Sequence, residues 1–406
     1  MKTFEQEFLT KDFFQNPFPT YQKLREWEWI IYIDDIQSWV VVRYDDILSG
    51  LNDPRLSADR WNSYFWLLSS EDQKNFAPLK EFFSKWLLFS DWEYHQQLRG
   101  KLVKSSFFKS LEKDRTILAK IAWDNMDTLL GIGREIDFFR DYSLPLSTKV
   151  ISRILWLQEE EFQKVMEWTN KMIHFIWSWK PSTEQGELAL WAYYEFVDYV
   201  HTKIGNAKDL IYWTNLFSDL LKLTKDWEIS MEELIATLWN ILIDWYEPSA
   251  LGISHGIYLL GTDNLNKDAA VQDPIAFQKN GIQEIFRLEP PFMCAARRSL
   301  VDFQFNNIQL KTNDRVVFVL GSANRDSSVF SDPNKLDLHR PNASKQLTFW
   351  SWSHKCIWFG LSYSTMNIWL NAFLEKTQWT NITFQTPTYR ESMGVRWFNH
   401  LIWELK

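Results

Sequence analysis

A single long segment, residues 231–260, constrains the fold of this chain more than any other feature of its sequence. Its apolar residues recur at the spacing of one helix face, at Leu234, Leu238, Ile241, Leu242 and Trp245. A helix of about 30 residues is roughly 45 Å long, so we expect it to cross the whole molecule. Pro248 lies inside the segment and predicts a kink, because proline has no N–H to donate to the carbonyl four residues earlier.

The rest of the chain combines many helical stretches with a few short strands. Most of residues 44–290 shows helical spacing, and a further helix is predicted over about residues 357–375. Strands are predicted at residues 30–33, 40–42, 301–305, 308–310 and 315–320. The predicted fold class is mainly α with a small β portion. Because no linker is evident, we expect residues 1–406 to form a single domain.

Charge and cysteine content exclude some functions. The net charge of −8 argues against a general nucleic-acid binder, which would normally be basic. Two cysteines make no disulfide framework and favour a reducing, cytoplasmic setting. Residues 1–22 contain no apolar run of the ~20 residues that a membrane span requires, and no signal-peptide pattern. We therefore expect a protein that is neither anchored nor exported.

Cys356 is the candidate metal ligand. It lies in a loop just before a predicted helix, beside His354 and Lys355. A helix N-terminus and adjacent cations stabilise a thiolate, which is the form that binds iron. A lone cysteine is more often a small buried apolar residue, so this position alone leaves both interpretations open.

Three separated motifs resemble those of the cytochrome P450 family, in its soluble bacterial type, and they occur in the family's order. The first, Glu284 with Arg287, matches E-x-x-R but is also a common helical ion pair. The second, A-N-R-D at residues 323–326 followed by F-S-D-P at residues 330–333, is much more specific. The third comprises the residues of the cysteine loop Phe349, His354 and Cys356.

The resemblance implies a single triangular, mostly helical domain enclosing haem b (iron protoporphyrin IX), with Cys356 as the iron ligand and Phe349 in the cofactor-binding loop. A buried dianionic haem needs cations at its propionates. By the resemblance, these are His95, Arg99, Arg297 and His354.

The implied activity is that of a monooxygenase. It would insert one atom of O₂ into a small apolar substrate, with electrons from a ferredoxin or flavodoxin and its reductase. Residues 244–249 resemble the family's A-G-x-[DE]-T-T motif, so Glu247 and Ser249 are the candidate catalytic residues. Pro248 replaces the usual threonine, which leaves open a peroxide-using or isomerising haem-thiolate enzyme. Four lysines beside the haem-binding motifs are expected to face an acidic electron donor: Lys101, Lys104, Lys345 and Lys355.

Tryptophan and glycine occur in unusual numbers. The chain has 24 tryptophans and 13 glycines, whereas a chain of this length normally has roughly 28 glycines. Seven tryptophans fall where the family has glycine: Trp156, Trp227, Trp245, Trp350, Trp352, Trp358 and Trp397. Trp39, by contrast, stands where family members carry tryptophan. One hypothesis is that UGA codons decoded as glycine were translated as tryptophan. The alternative is a degenerate, haem-free family member.

The substrate is not evident from the sequence. In the family, substrate-contacting loops correspond to residues 60–90 and 165–195. Five apolar residues in them are compatible with a hydrophobic pocket and equally with a plain helical core: Phe65, Phe82, Phe83, Phe175 and Ile176.

Overall fold

The computed structural model describes most of the chain. The described residues are 8–27, 29–65, 68–104, 115–131, 135–155, 157–178, 182–206, 216–226, 228–349, 354–377 and 383–404. Everything below refers to these residues.

Helices account for most of the described chain, as predicted. The α-helices are Lys11–Gln15, Phe18–Trp27, Tyr44–Leu51, Arg60–Phe65, Ser70–Asn75, Ala77–Ser84, Trp92–Lys104, Arg115–Gly131, Leu144–Leu155, Glu159–Ile176, Thr183–Asn206, Leu216–Lys225, Met231–Gly261, Asn264–Gln272, Pro274–Ala276, Ile282–Leu288, Leu320–Ala323 and Phe359–Thr377. Short 3₁₀ turns are Asp34–Ile36, Leu87–Phe89 and Ala343–Lys345, and π-helical turns are Phe138–Ser143 and Phe277–Gly281. No helix in the described ranges is both long and apolar enough to cross a membrane.

The strands form a small β portion. They are β1 Ile30–Ile33, β2 Ser38–Val41, β3 Leu56–Ser57, β4 Ile136–Asp137, β5 Cys294–Ser299, β6 Phe303–Phe305, β7 Ile308–Leu310, β8 Arg315–Val319, β9 Thr383–Phe384, β10 Thr388–Tyr389, β11 Phe398–His400 and β12 Ile402–Glu404. The main sheet has the order β1-β2-β8-β5-β3, and β2 pairs with β8 in parallel. The five predicted strands are confirmed with small shifts at their ends.

The predicted central helix is confirmed as Met231–Gly261. Its start is fixed by a capping box, in which the Ser230 hydroxyl accepts from the Glu233 amide at 3.1 Å and the Glu233 carboxylate accepts from the Ser230 amide at 2.7 Å. The helix continues through Pro248, and nearly all its apolar residues are buried. It packs against the helices Leu144–Leu155 and Phe359–Thr377, so residues from this central helix can reach the loop of Cys356.

A buried ion network ties the helix Ile282–Leu288 to the chain that follows it. Glu284 accepts from Arg287 at 2.6 and 2.9 Å and from Arg340 at 2.8 Å. All three side chains are almost wholly inaccessible to solvent. Arg287 also donates to the carbonyls of Asn324 and Pro333, at 2.8 and 2.6 Å. These bonds hold the segment after β8 against the helix.

The side chain of Asn324 holds the segment that leads to Cys356. Its Oδ1 atom accepts from the backbone amide of Leu347 at 2.7 Å, and its Nδ2 atom donates to the Thr348 hydroxyl at 2.9 Å. The Thr348 hydroxyl in turn donates to the carbonyl of Phe286 at 2.6 Å. The residues just before Phe349 are therefore fixed by side chains rather than by a strand or a helix.

We expect Arg287→Ala to lower the free energy of unfolding by about 3–5 kcal/mol, because it leaves the Glu284 carboxylate buried without its main partner. Lys120→Ala is the matched control, since the Lys120–Asp124 pair is exposed and its loss should change stability by less than about 0.5 kcal/mol. Urea unfolding of both variants measures the difference. Equal small losses would show that the network does not support the fold.

Candidate functional site

Cys356 lies just before the helix Phe359–Thr377. Its amide donates to the carbonyl of Phe349 at 2.9 Å. Burial raises the pKa of the Cys356 thiol to about 12, although the amides of Trp358 and Phe359 and the charge of Arg99 act in the opposite direction. The sequence-based expectation that neighbouring groups favour a thiolate is thus outweighed by burial. A metal cation at the sulfur would favour the thiolate over the thiol, because a coordinated thiol is deprotonated.

Cys294 has a different environment. It lies in β5, where it is buried in an apolar cluster, and its sulfur is 3.3 Å from the carbonyl of Met393. Burial raises its pKa well above the ordinary value, with no opposing group. Cys294 therefore behaves as a structural apolar residue.

The four predicted cations come together near Cys356. The rings of His95 and His354 are 4.3 Å apart between centroids, and Nε2 of His354 is 3.6 Å from a carboxylate oxygen of Asp91. Burial, together with the charges of His354 and Arg99, lowers the pKa of His95 to about 4. Arg297 is buried in β5 and acts in the same direction. Arg99 and Arg297 therefore give this region its positive charge, and the imidazoles of His95 and His354 add groups that can donate hydrogen bonds to an anion.

His95 has a buried polar atom that the described residues do not satisfy. Its imidazole is buried, and its Nδ1 atom has no hydrogen-bond partner among the described residues. Buried polar atoms of this kind normally have a partner. An acidic group that enters the positive region could provide it.

A cavity of about 130 Å³ lies beside Cys356. His95, Arg99 and His354 line it at its polar side, and Arg297 lines a separate, smaller cavity. The other walls are mainly apolar and include Leu87, Pro248, Phe286, Phe292 and Met366. Phe349 also lines the cavity, with its ring packed edge-on against Phe286 and Phe359 at 4.7 and 4.9 Å. The site therefore combines a thiol, cations and apolar walls.

Two tryptophans narrow this cavity. Trp245, from the central helix, and Trp358, from the loop of Cys356, are both buried, and their rings meet edge-on at 5.7 Å. The remaining volume is well below the roughly 300–1,000 Å³ typical of small-molecule sites. Of the other suspected positions, Trp397 is buried, whereas Trp156, Trp227, Trp350 and Trp352 lie outside the described residues.

The candidate catalytic residues are divided between the cavity and its surroundings. Ser249 and Pro248 line the cavity, whereas Glu247 does not. The Glu247 carboxylate accepts from the indole N–H of Trp397 at 2.8 Å, and burial raises its pKa.

Asp244 is an acid that the sequence analysis did not assign to the site. It lines the cavity, and one of its carboxylate oxygens accepts from the Asn240 side chain at 2.7 Å. Burial raises the pKa of Asp244 to about 7. The sequence feature that could have revealed Asp244 is an acidic residue in the otherwise apolar segment between Ile241 and Trp245.

The five apolar residues selected from residues 60–90 and 165–195 belong mainly to the core. Trp61 stacks on Phe83 and Phe175 at 4.2 and 5.8 Å, and all three rings are buried. Neither these phenylalanines nor Phe65 and Phe82 line the cavity beside Cys356. Only Ile176 of the predicted set lines a cavity, the smaller one that adjoins Arg297.

Comparisons with known proteins found one family. The family model for Cytochrome P450 matches residues 214–391. Cytochrome P450 CYP107DY1 of Priestia megaterium is 26% identical over 371 residues, which are 88% of this chain and 88% of that protein. Polyketide biosynthesis cytochrome P450 PksS of Bacillus subtilis is 25% identical and covers 90% of this chain and 89% of its own length.

Solved structures share the fold at lower identity. The structure of the Bacillus subtilis bacillaene polyketide synthase cytochrome P450 PksS covers 100% of both chains, with a TM-score of 0.83 and 22% identity. Epothilone B-bound cytochrome P450epoK covers 98% of both chains, with a TM-score of 0.86 and 20% identity. The chain therefore has the cytochrome P450 fold, and it is similar to cytochrome P450 proteins over most of its length.

Proposed function

We propose that this chain is a haem-thiolate monooxygenase that inserts one atom of O₂ into a small apolar substrate. The observation that carries the proposal is the convergence of the Cys356 thiol and a positive region on one cavity with apolar walls. When bound, haem b (iron protoporphyrin IX) supplies the iron at which O₂ is activated, and a thiolate ligand favours cleavage of the O–O bond.

The donor set of the chain fits such a cofactor. Cys356 would hold the iron through its sulfur, and the amides of Trp358 and Phe359 would stabilise the negative charge there. His95, Arg99, Arg297 and His354 would hold the two propionates. In that arrangement the Nδ1 atom of His95 gains the acceptor that it otherwise lacks.

Other residues of the cavity would exclude water and position the substrate. The walls formed by Leu87, Phe286 and Phe292 offer no hydrogen bonds from their side chains, so they favour an apolar molecule. Phe349 packs between two further rings and keeps the loop of Cys356 in place.

Glu247 and Ser249 are the groups that we assign to proton delivery. Burial raises the pKa of Glu247, which keeps a proton available inside the protein. Pro248 has no N–H, so the carbonyl of Asp244 is free to hold a water molecule beside Ser249. That water would replace the hydroxyl of the absent threonine. Glu247 would act through it, since its own side chain does not line the cavity.

An acidic ferredoxin or flavodoxin, with its reductase, is the electron donor that we propose. Lys355 lines the cavity beside Cys356, and Lys101 lies on the same helix as His95 and donates to the carbonyl of Glu228. These lysines lie beside the proposed haem ligands, where electrons must enter. The donor and the chain would attract each other locally despite the overall charge of −8.

A second candidate function is peroxide-driven or isomerising haem-thiolate chemistry, which requires no redox partner. Pro248 is the observation that favours it, because a proline lining the cavity cannot relay a proton. We expect Pro248→Thr to preserve or improve the coupling of electron use to product formation in a monooxygenase. In a peroxide-using enzyme, turnover with hydrogen peroxide would exceed the donor-driven rate, and Pro248→Thr would lower it.

We expect Cys356→Ala to abolish the characteristic absorbance of the reduced, CO-bound protein, because no other described cysteine lies beside the cavity. Cys294→Ala is the control and should retain that absorbance, since Cys294 is buried in β5. The spectrum of haem-loaded protein measures both. Loss of the signal in Cys294→Ala alone would show that the ligand is assigned to the wrong cysteine.

Glu247→Gln should slow product formation, by roughly 10²-fold, and should divert electrons to hydrogen peroxide, because the amide cannot supply the proton. Product and peroxide formed per NAD(P)H are the quantities to measure. Asp244→Asn serves as the comparison, since Asp244 lines the cavity and has a pKa near 7. A larger effect of Asp244→Asn, with activity in the unmodified protein falling above pH 7, would transfer the role to Asp244.

Replacing Lys101, Lys104, Lys345 and Lys355 together by glutamate should slow reduction by an acidic donor about tenfold at low salt, because the residues attract the donor during association. High ionic strength should remove most of the difference. Lys171→Glu, on the helix Glu159–Ile176, is a control that should have little effect. Reduction rates that do not respond to salt or to these charges would exclude the proposed surface.

A further inference from the structure

Trp92 adopts a backbone conformation that suits glycine. Its φ is 55°, in the left-handed region, and 57% of the residue is exposed. A bulky side chain at positive φ is strained because its Cβ crowds the following carbonyl, whereas glycine has no Cβ. Because the indole is mostly exposed, its burial contributes little free energy that would offset this strain. The conformation is imposed by the neighbours, since the Asp91 carboxylate accepts from the amide of Ala58 at 3.0 Å while His95 must face the cavity.

Glycine is absent from the positions where it is normally the default. Six described non-glycine residues have left-handed φ values: Leu9, Gln37, Trp92, Asn306, Asn313 and Asp332. No glycine in the described ranges lies in that region. Asparagine and aspartate tolerate this conformation, but tryptophan does not. Trp92 therefore marks a turn from which the expected glycine is missing.

The side chains of Trp245 and Trp358 occupy part of the cavity beside Cys356. Their rings meet at 5.7 Å between the central helix and the loop of Cys356, in the space beside the thiol. The indole N–H of Trp245 is buried and has no hydrogen-bond partner among the described residues, but the same is true of Trp86, Trp369 and Trp403. The conflict at Trp245 therefore lies in its position beside Cys356. The donors of the site are thus in place, while two large side chains fill the volume that those donors surround.

Trp239 shows how a well-accommodated tryptophan looks in the same helix. It is fully buried, and its indole N–H donates to the Thr169 hydroxyl at 3.1 Å. Its ring packs against Phe196 at 4.4 Å, away from the cavity of Cys356. The conflict at Trp245 is therefore specific to its position and does not extend to every tryptophan of the helix.

We infer that the functional protein carries glycine at positions 92, 245 and 358, because UGA codons there are decoded as glycine rather than tryptophan. The excess of tryptophan, 24 residues against 13 glycines, is what such decoding would produce. Glycine at 245 and 358 would open the space between the central helix and Cys356, and glycine at 92 would relax the turn before His95. The inference deepens the proposed function and depends on it only for the identity of the cofactor.

The codons and the native protein test the inference directly. We expect UGA at positions 92, 245 and 358 and UGG at Trp39, and tandem mass spectrometry of the protein from its source organism should give peptides with the mass of glycine at the three positions. UGG at all three, or peptides with the mass of tryptophan, would overturn the inference whatever the cofactor is.

The second test measures haem binding and stability rather than activity. W245G/W358G should retain at least about fivefold more haem per chain than the tryptophan form, by the absorbance of the extracted haem, because the two indoles no longer fill the site. W239G should give no gain and should unfold more easily, and W92G should raise Tm by roughly 2 °C. A tryptophan form that binds one haem per chain, with less in W245G/W358G, would overturn the inference. Glycine in the native peptides together with no haem in W245G/W358G would instead overturn the proposed haem function.

Discussion

The buried carboxylate of Glu284 is the interaction on which the rest of the site depends. It holds Arg287 and Arg340, and Arg287 in turn fixes the carbonyl of Asn324. The Asn324 side chain then orders the segment that ends at Phe349, whose carbonyl accepts from the amide of Cys356. The backbone of Cys356 is thereby connected to the core through side chains. Removing one partner of a buried pair of this kind leaves an uncompensated charge inside the protein, so the network is costly to break.

Charge and burial oppose each other throughout the site. Burial raises the pKa of Cys356 and lowers that of His95, so without a ligand both groups are held in their neutral forms. A ligand that brings a metal cation to the sulfur and carboxylates to the cations would satisfy both at once. The two groups together are a stronger argument than either alone, because burial by itself also raises the pKa of Cys294, which lies in an apolar cluster away from this cavity.

The sequence predicted those features that have a local pattern. The central helix follows from apolar spacing, and the pairing of Glu284 with Arg287 follows from their separation of three residues. Arg340 was missed because it meets Glu284 from a loop more than fifty residues away, with no spacing to reveal it. Likewise the sequence could not assign phenylalanines such as Phe83 to a core or to a pocket. Their burial depends on contacts with rings elsewhere in the chain, such as that of Trp61.

The tryptophans show how a local rule and a global one can point independently to the same residue type. Left-handed φ at Trp92 is a property of one residue and its immediate neighbours. The meeting of Trp245 and Trp358 is a property of two elements that are more than a hundred residues apart. Natural sequences are usually consistent across both levels. A chain in which Cys356, His95 and Arg99 surround one cavity while two indoles occupy part of it, and in which Trp92 is strained, is inconsistent at both levels and in the same residue type. A single change of residue type, from tryptophan to glycine, removes both inconsistencies, whereas loss of the cofactor during evolution would explain the filled cavity but not the strained, exposed Trp92.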